Sequence, residues 1–169
     1  MNKLELVRIE VDAILIAQED ASLRHEGFVH LYGVAQNCSI LAIKRGLEVE
    51  LCTIIGMLHD IYTYKCGYQK NHGELGVEIA EEILRKINAF SEIEINIVKN
   101  AIKNHSDKKN VHDKYSELIK DADLLQNSIY NVTVRIKHKL RLKSVLKSIG
   151  IKMKLKTENG VDRVFLKPS

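Results

Sequence analysis

The pair His59-Asp60 closes the apolar run Leu51-Cys52-Thr53-Ile54-Ile55-Gly56-Met57-Leu58. It sets a metal-ligating imidazole beside a carboxylate at the end of a stretch whose composition otherwise belongs in a core. Outward from that pair the chain supplies His30 upstream and His72, His105 and Asp123 downstream, each at or near the edge of an apolar stretch. Six nitrogen and oxygen donors that converge in this way suit divalent transition metals or magnesium rather than a structural thiolate zinc site. A lone histidine on an apolar helix face is more often a hydrogen-bonded core residue than a ligand. The set changes that balance, because several buried imidazoles and carboxylates without a cation leave uncompensated charge and unsatisfied groups. A divalent cation lowers the pKa of bound water from ~16 towards ~7, and two cations ~3.5–4 Å apart stabilise both the attacking and the leaving oxygen of a displacement. Phosphoester hydrolysis is the chemistry that such a site serves. A phosphate would also need cationic partners, and Arg24, Lys65, Lys70 and Lys108 are the candidate substrate-binding residues, by their places near His30, His59, His72 and His105. Each of these also reads as an ordinary solvated side chain. His25, His112 and His138 sit among polar neighbours and take no role.

The elements that must position these side chains read as helices. Leu4, Val7, Val11, Ile14 and Leu15 recur with a period near 3.6 and predict a first helix over Leu4–Ala17. A second helix over Phe28–Arg45 carries His30 in its first turns and stops at Gly46. Val49–Asp60 is apolar almost all round, which marks a central buried helix, and Gly56 permits close approach of another backbone. Tyr62–Asn71 has no periodicity and contains Gly67, so it is expected as a loop beside the site. A further helix starts at His72, with Asn71 as its candidate cap and Leu75, Ile79, Ile83 and Ile87 spaced at i+4. Ser91-Glu92-Ile93-Glu94 has the form of a capping box, and the helix after it places His105 one turn beyond Ala101, facing inward. Asp113–Asn127 repeats the helical spacing and sets Asp123 at the border of its apolar stripe.

With 169 residues, 45% of them hydrophobic, and a single proline, the chain is expected to be all-α, one helical bundle with a small C-terminal β-hairpin appendage. The helical domain is assigned to 1–148, and 149–169 to a hairpin and tail that is not an independent domain. Cys38, Cys52 and Cys66 form no CxxC pair and are odd in number, which argues against a disulfide framework and for a reducing compartment. The opening residues carry no apolar signal core, and no apolar run approaches the ~18 residues of a membrane span. A soluble, cytoplasmic protein without a membrane partner is the expectation. The formal net charge of +4 is uneven, since Arg135 to Lys156 contains Arg135, Lys137, Lys139, Arg141, Lys143, Lys147, Lys152, Lys154 and Lys156 and no acid. This 135–156 stretch reads first as a solvated amphipathic helix with Val134, Leu140, Leu142 and Val145 or Leu146 inward; a nucleic-acid contact is the less favoured alternative. Ile151, Met153 and Leu155 then alternate with lysines ahead of Asn159-Gly160, a hairpin signal.

The order His30, His59-Asp60, His72, His105, Asp123 resembles the HD superfamily of metal-dependent phosphohydrolases. Arg24 to His30 with the long helix and Gly56-Met57-Leu58-His59-Asp60 look like its opening helices, and Asn71-His72-Gly73-Glu74-Leu75-Gly76 looks like the next ligand helix. Ala101 to Lys108 and Lys120 to Leu125 are similar to the remaining two. The resemblance covers about residues 24–130 and leaves the basic helix and hairpin outside. It implies that His30, His59, Asp60 and Asp123 bind a first metal, that His72 and His105 complete a second one bridged by Asp60, and that His59 and Asp60 are the catalytic pair. Asp121 is the fallback for Asp123, since a one-residue misalignment would move the ligand to another helix face. The implied cofactor is one or two divalent ions, with Fe, Mn, Mg, Co, Ni and Zn not distinguished. The implied reaction is attack of metal-bound hydroxide on the phosphorus of a nucleotide or small phosphorylated metabolite. The same superfamily includes mixed-valent di-iron oxygenases, which use similar ligands, and a metal-stabilised regulatory or nucleic-acid-binding module is a third reading. The complete ligand set counts against the third.

Overall fold

The computed structural model describes residues 1–130, 138–158 and 161–168. In chain order the elements are α1 (Lys3–Ala17), α2 (Ala21–Arg45), α3 (Val49–Leu58), α4 (Ile61–Cys66), α5 (His72–Ile87), α6 (Glu92–Asn104), α7 (Lys114–Tyr130), α8 (Lys139–Ser148), β1 (Ile151–Glu158) and β2 (Val161–Pro168). The fold is an all-α bundle with one antiparallel hairpin at its C-terminal end, as the sequence predicts.

Local chemistry sets the helix ends. Asn2 and Glu5 form a capping box on α1, and Ser91 and Glu94 form another on α6, each satisfying amides that the first turn leaves unpaired. Asp20 accepts from the amides of Ser22 and Leu23, so α2 begins at Ala21 rather than at Phe28, two turns before the apolar pattern becomes regular. Gly46 ends α2 in the left-handed region at φ 63, with its N–H turned back to the carbonyls of Ala42 and Ile43. Two expectations fail here. The segment after Asp60 is not all loop, because Ile61 and Tyr64 lie three apart and are buried, and they wind Ile61–Cys66 into a short helix that ends at Gly67. Asn71 occupies the N-cap position of α5 at φ 57, but its side chain makes no capping hydrogen bond.

Helix α3 is the centre of the core. Leu51, Cys52, Ile54, Ile55, Met57 and Leu58 are all buried, and α3 packs against α1, α2, α6 and α7. A Cβ at Gly56 would lie 2.6 Å from the Cα of Ala35, so this glycine lets α2 and α3 touch backbone to backbone. Helix α5 packs on α4 and α6 with Gly76, Ala80, Ile83 and Leu84 inward, while Leu75, Ile79 and Ile87 flank that face.

Helix α8 packs on α7 and on β1, burying Leu142, Val145 and Leu146. Leu140 is the exception to the expected inward set: it is 85% exposed, since a position two residues before Leu142 lies on the opposite face of the helix. The hairpin pairs Ile151 with Pro168 through to Glu158 with Val161, and Ile151 and Met153 pack against the core. Val134, Arg135, Lys137 and the Asn159-Gly160 turn lie outside the described residues. Among the described residues no helix is long and apolar enough to cross a membrane.

Candidate metal centre

The break between α3 and α4 builds the centre of the site. His59 continues the helical backbone at φ −59, but Asp60 adopts φ −116 and ψ 19, and the chain turns there into α4. The imidazole of His59 bends back over the end of α3, where its Nδ1–H donates to the carbonyl of Gly56 at 2.8 Å. His105 does the same at the end of α6, donating to the Ile102 carbonyl at 2.6 Å, and His72 donates to the Gln69 carbonyl at 2.6 Å. The Gly56 and Ile102 carbonyls lie in the last turns of α3 and α6, where a helix runs short of amide donors, and the Gln69 carbonyl lies in the turn ahead of α5. The bonds therefore serve two purposes: they satisfy the carbonyls, and they fix the proton of each ring on Nδ1, leaving Nε2 as a lone pair aimed into the site.

Those lone pairs converge. His30 Nε2 lies 3.2 Å from His59 Nε2, and His72 Nε2 lies 2.9 Å from His105 Nε2. Asp60 sits between the two pairs. Its Oδ2 is 3.5 Å from His30 Nε2 and 3.4 Å from His59 Nε2, while its Oδ1 is 3.3 Å from His72 Nε2 and 3.1 Å from His105 Nε2. Two ligand triads result, His30/His59/Asp60 and Asp60/His72/His105, each with its donor atoms within 4.8 Å of one another. Asp123 Oδ1, from α7, lies 3.5 Å from His30 Nε2 and extends the first triad.

The donor set asks for cations. Asp60 Oδ1 is buried and accepts no hydrogen bond, because the nearest nitrogens hold their protons on the other side of the ring. Burial by itself would raise the Asp60 carboxyl, but the surrounding imidazoles, His59 first, outweigh it and hold the group well below the usual carboxylate range. Burial pushes His59 down, towards the neutral ring. For His105 burial acts in the same direction, but the Asp60 carboxylate prevails and raises it. A carboxylate and imidazole nitrogens held within hydrogen-bonding distance of each other stabilise one another only with a proton or a metal between them. The residues present thus fit one or two divalent ions of the borderline or hard type, with imidazole and carboxylate donors and no thiolate among the donors of either triad.

Asp121, the fallback, faces elsewhere. It is held by Arg45 at 2.5 Å and by Arg141 Nε at 2.5 Å, on the side of α7 that meets the α2 C-terminus and α8. The candidate phosphate contacts separate likewise. Lys108 Nζ lies 2.6 Å from Asp123 Oδ2, inside the site. Arg24 is bonded to the Gln18 carbonyl, Lys65 lines a separate cleft along α1, and Lys70 is exposed in the segment before α5. Burial would raise the Asp123 carboxyl, but Lys108 and then His59 lower it below the ordinary range.

Sequence reasoning missed Asn127, whose Nδ2 donates to Asp123 Oδ1 at 2.7 Å. Its position four residues after Asp123 on a helix was the available signal. It also missed the cleft of about 370 Å³ beside His30, which Tyr64, Gln126, Asn127 and Tyr130 help to line. A second cleft, of about 400 Å³, opens on the other side at His72, Lys103 and Ser106.

A family model described as HD domain matches residues 27–128, more than half of the chain and the whole span from His30 to Asp123. No curated protein and no solved structure matches the chain.

Proposed function

We propose that this chain, which belongs to the HD-domain family, is a metal-dependent phosphohydrolase acting on a nucleotide or a similar small phosphorylated metabolite. The observation that carries the reading is the placement of Asp60, one oxygen towards His30 and His59 and the other, without a hydrogen-bond donor, towards His72 and His105. Divalent cations bound there would supply Lewis-acid activation of water and neutralise phosphate charge.

The chain's own residues account for the rest. Three backbone carbonyls, Gly56 and Ile102 in the last turns of α3 and α6 and Gln69 in the turn ahead of α5, hold the rings of His59, His105 and His72 in one tautomer and orientation, so the ligand geometry exists before any ligand arrives. Lys108, whose side chain is 14% exposed, places an ammonium beside the first triad, where a phosphate oxygen needs a donor. The cleft beside His30 offers two tyrosine rings and two carboxamides, which suit the planar, hydrogen-bonding part of a nucleotide better than a second phosphate.

The test is hydrolysis across nucleotides, dinucleoside polyphosphates and sugar phosphates, by protein stripped of metal and then reloaded with Mn, Co, Ni, Fe, Mg or Zn. Release of phosphate that depends on the added ion is expected. A fully loaded protein that hydrolyses none of them, but undergoes a reversible one-electron change under anaerobic titration and consumes oxygen, would replace this reading with the di-iron one.

A further inference from the structure

Of the two carboxylates in the site, only Asp123 has both oxygens engaged by the chain. Its Oδ2 is 2.6 Å from Lys108 Nζ and its Oδ1 is 2.7 Å from Asn127 Nδ2, while Asp60 Oδ1 accepts nothing. The Lys108–Asp123 pair is little exposed, with side chains at 14% and 9%, so solvent screens it weakly. An ammonium in that position repels a cation ligated by the same carboxylate and attracts an anion placed beside it.

Lys108 cannot easily withdraw. It belongs to a short connection between His105 and α7 that is fastened along its length. Asp107 Oδ1 accepts from the amides of Lys109 and Asn110 at 3.2 and 3.3 Å, and the fully buried Lys120 ammonium holds the Asn110 carbonyl at 2.9 Å. The His112 amide donates to Glu117 Oε1 at 3.0 Å. One of the three donors of the Lys108 ammonium is committed to Asp123, which leaves two for a phosphate oxygen.

On the metal-centre reading above, we infer that Lys108 couples cation binding to phosphate binding: it weakens the cation site that includes Asp123 until a phosphate neutralises it, and the two ligands then bind cooperatively. The coupling is reciprocal by thermodynamic linkage, so phosphate tightens the cation as much as the cation tightens phosphate. Lys108 thus contacts the phosphate directly and acts on the cation through its charge.

The test is calorimetric titration of metal-free protein with Mn²⁺, with and without inorganic phosphate, for wild type, Lys108→Met and Lys108→Arg. In phosphate-free buffer the weaker Mn²⁺ site of Lys108→Met should bind roughly tenfold tighter than that of wild type. Phosphate should tighten that site severalfold in wild type and in Lys108→Arg, and clearly less in Lys108→Met. Wild-type or weaker Mn²⁺ affinity in Lys108→Met, or an undiminished phosphate effect, would overturn the coupling and leave the metal centre standing. A wild-type protein that takes up no divalent ion would overturn the metal centre itself, which separates the two failures.

Discussion

Each oxygen of Asp60 faces a different imidazole pair, so one substitution removes a ligand from both triads. Asp60→Ala is therefore expected to lose bound metal and ion-dependent hydrolysis together, measured by metal analysis and phosphate release; full activity in a metal-depleted Asp60→Ala protein would contradict the mechanism. His72→Ala touches one triad, and metal content should fall to about half of a doubly loaded wild type, because the His30, His59, Asp60 and Asp123 donors remain. Unchanged stoichiometry would mean that the site takes a single ion. The cysteines give a check on burial: Cys38 and Cys52 are buried, which raises both thiols, Cys52 to about 12, whereas Cys66 is exposed. At about pH 8 a thiol reagent should react quickly with one cysteine in native protein and with all three after denaturation. The convergence of His30, His59, Asp60, His72, His105 and Asp123 was legible in the sequence because imidazole and carboxylate are conspicuous at the edge of apolar helices. Closeness along the chain was a poorer guide. Lys65 follows Asp60 by one short helix and yet lines another cleft, since α4 turns it towards α1. Asp121 and Asp123, about 200° apart on one helix, face an arginine pair and the metal triad respectively.

At the scale of elements, the site depends on how α7 starts and on how close α2 comes to α3. Asp113 Oδ1 accepts from the amides of Tyr115 and Ser116, and Oδ2 from the Ser116 hydroxyl, which makes Asp113 the cap of the helix that carries Asp123. Burial would raise its carboxyl, but these donors hold it below its ordinary value. A carboxyl depressed by folding stabilises above its unfolded pKa of about 3.9 and stops doing so as pH falls through the lower folded value. Asp113→Ala should thus cost about 1 kcal/mol at neutral pH, and the difference from wild type should shrink below about pH 4, as urea unfolding at both pH values would show. Gly56→Ala would set a methyl against the Ala35 backbone and should cost about 1–3 kcal/mol by the same measurement. The capping boxes, the Gly46 stop and the buried character of α3 were readable because each rests on a local rule. Helix α4 was not, because six residues give too short a window for periodicity, and its burial depends on α1 and α5 lying against it.

The whole molecule gathers its ligands from α2, the α3–α4 break, α5, α6 and α7, with α3 packed at the centre and α7 against α2. A cation bound by all of these elements is a cross-link of the folded bundle that the unfolded chain cannot reproduce, so binding must raise stability by RT ln(1 + [L]/Kd). At a free-ion concentration of about 100 Kd that is ~2.7 kcal/mol, and for a domain of this length each kcal/mol moves Tm by about 2–4 °C. Thermal unfolding is expected to rise by about 5–11 °C when metal-free protein is loaded with its preferred ion, to keep rising with the logarithm of ion concentration, and to fall back on adding a chelator. Asp60→Ala should show no such dependence, since neither triad survives in it. Helix α8 offers an internal contrast. Arg141 ties α8 to α7 through Asp121 at 2.5 Å and Glu117 at 2.9 Å, an attachment made by the chain's own charges and remote in kind from the metal donors. Breaking it with Arg141→Met should lower Tm by a similar amount in metal-free and metal-loaded protein. If the loss instead disappeared on loading, the cation would be compensating for α8, and α8 would share one cooperative network with the metal centre.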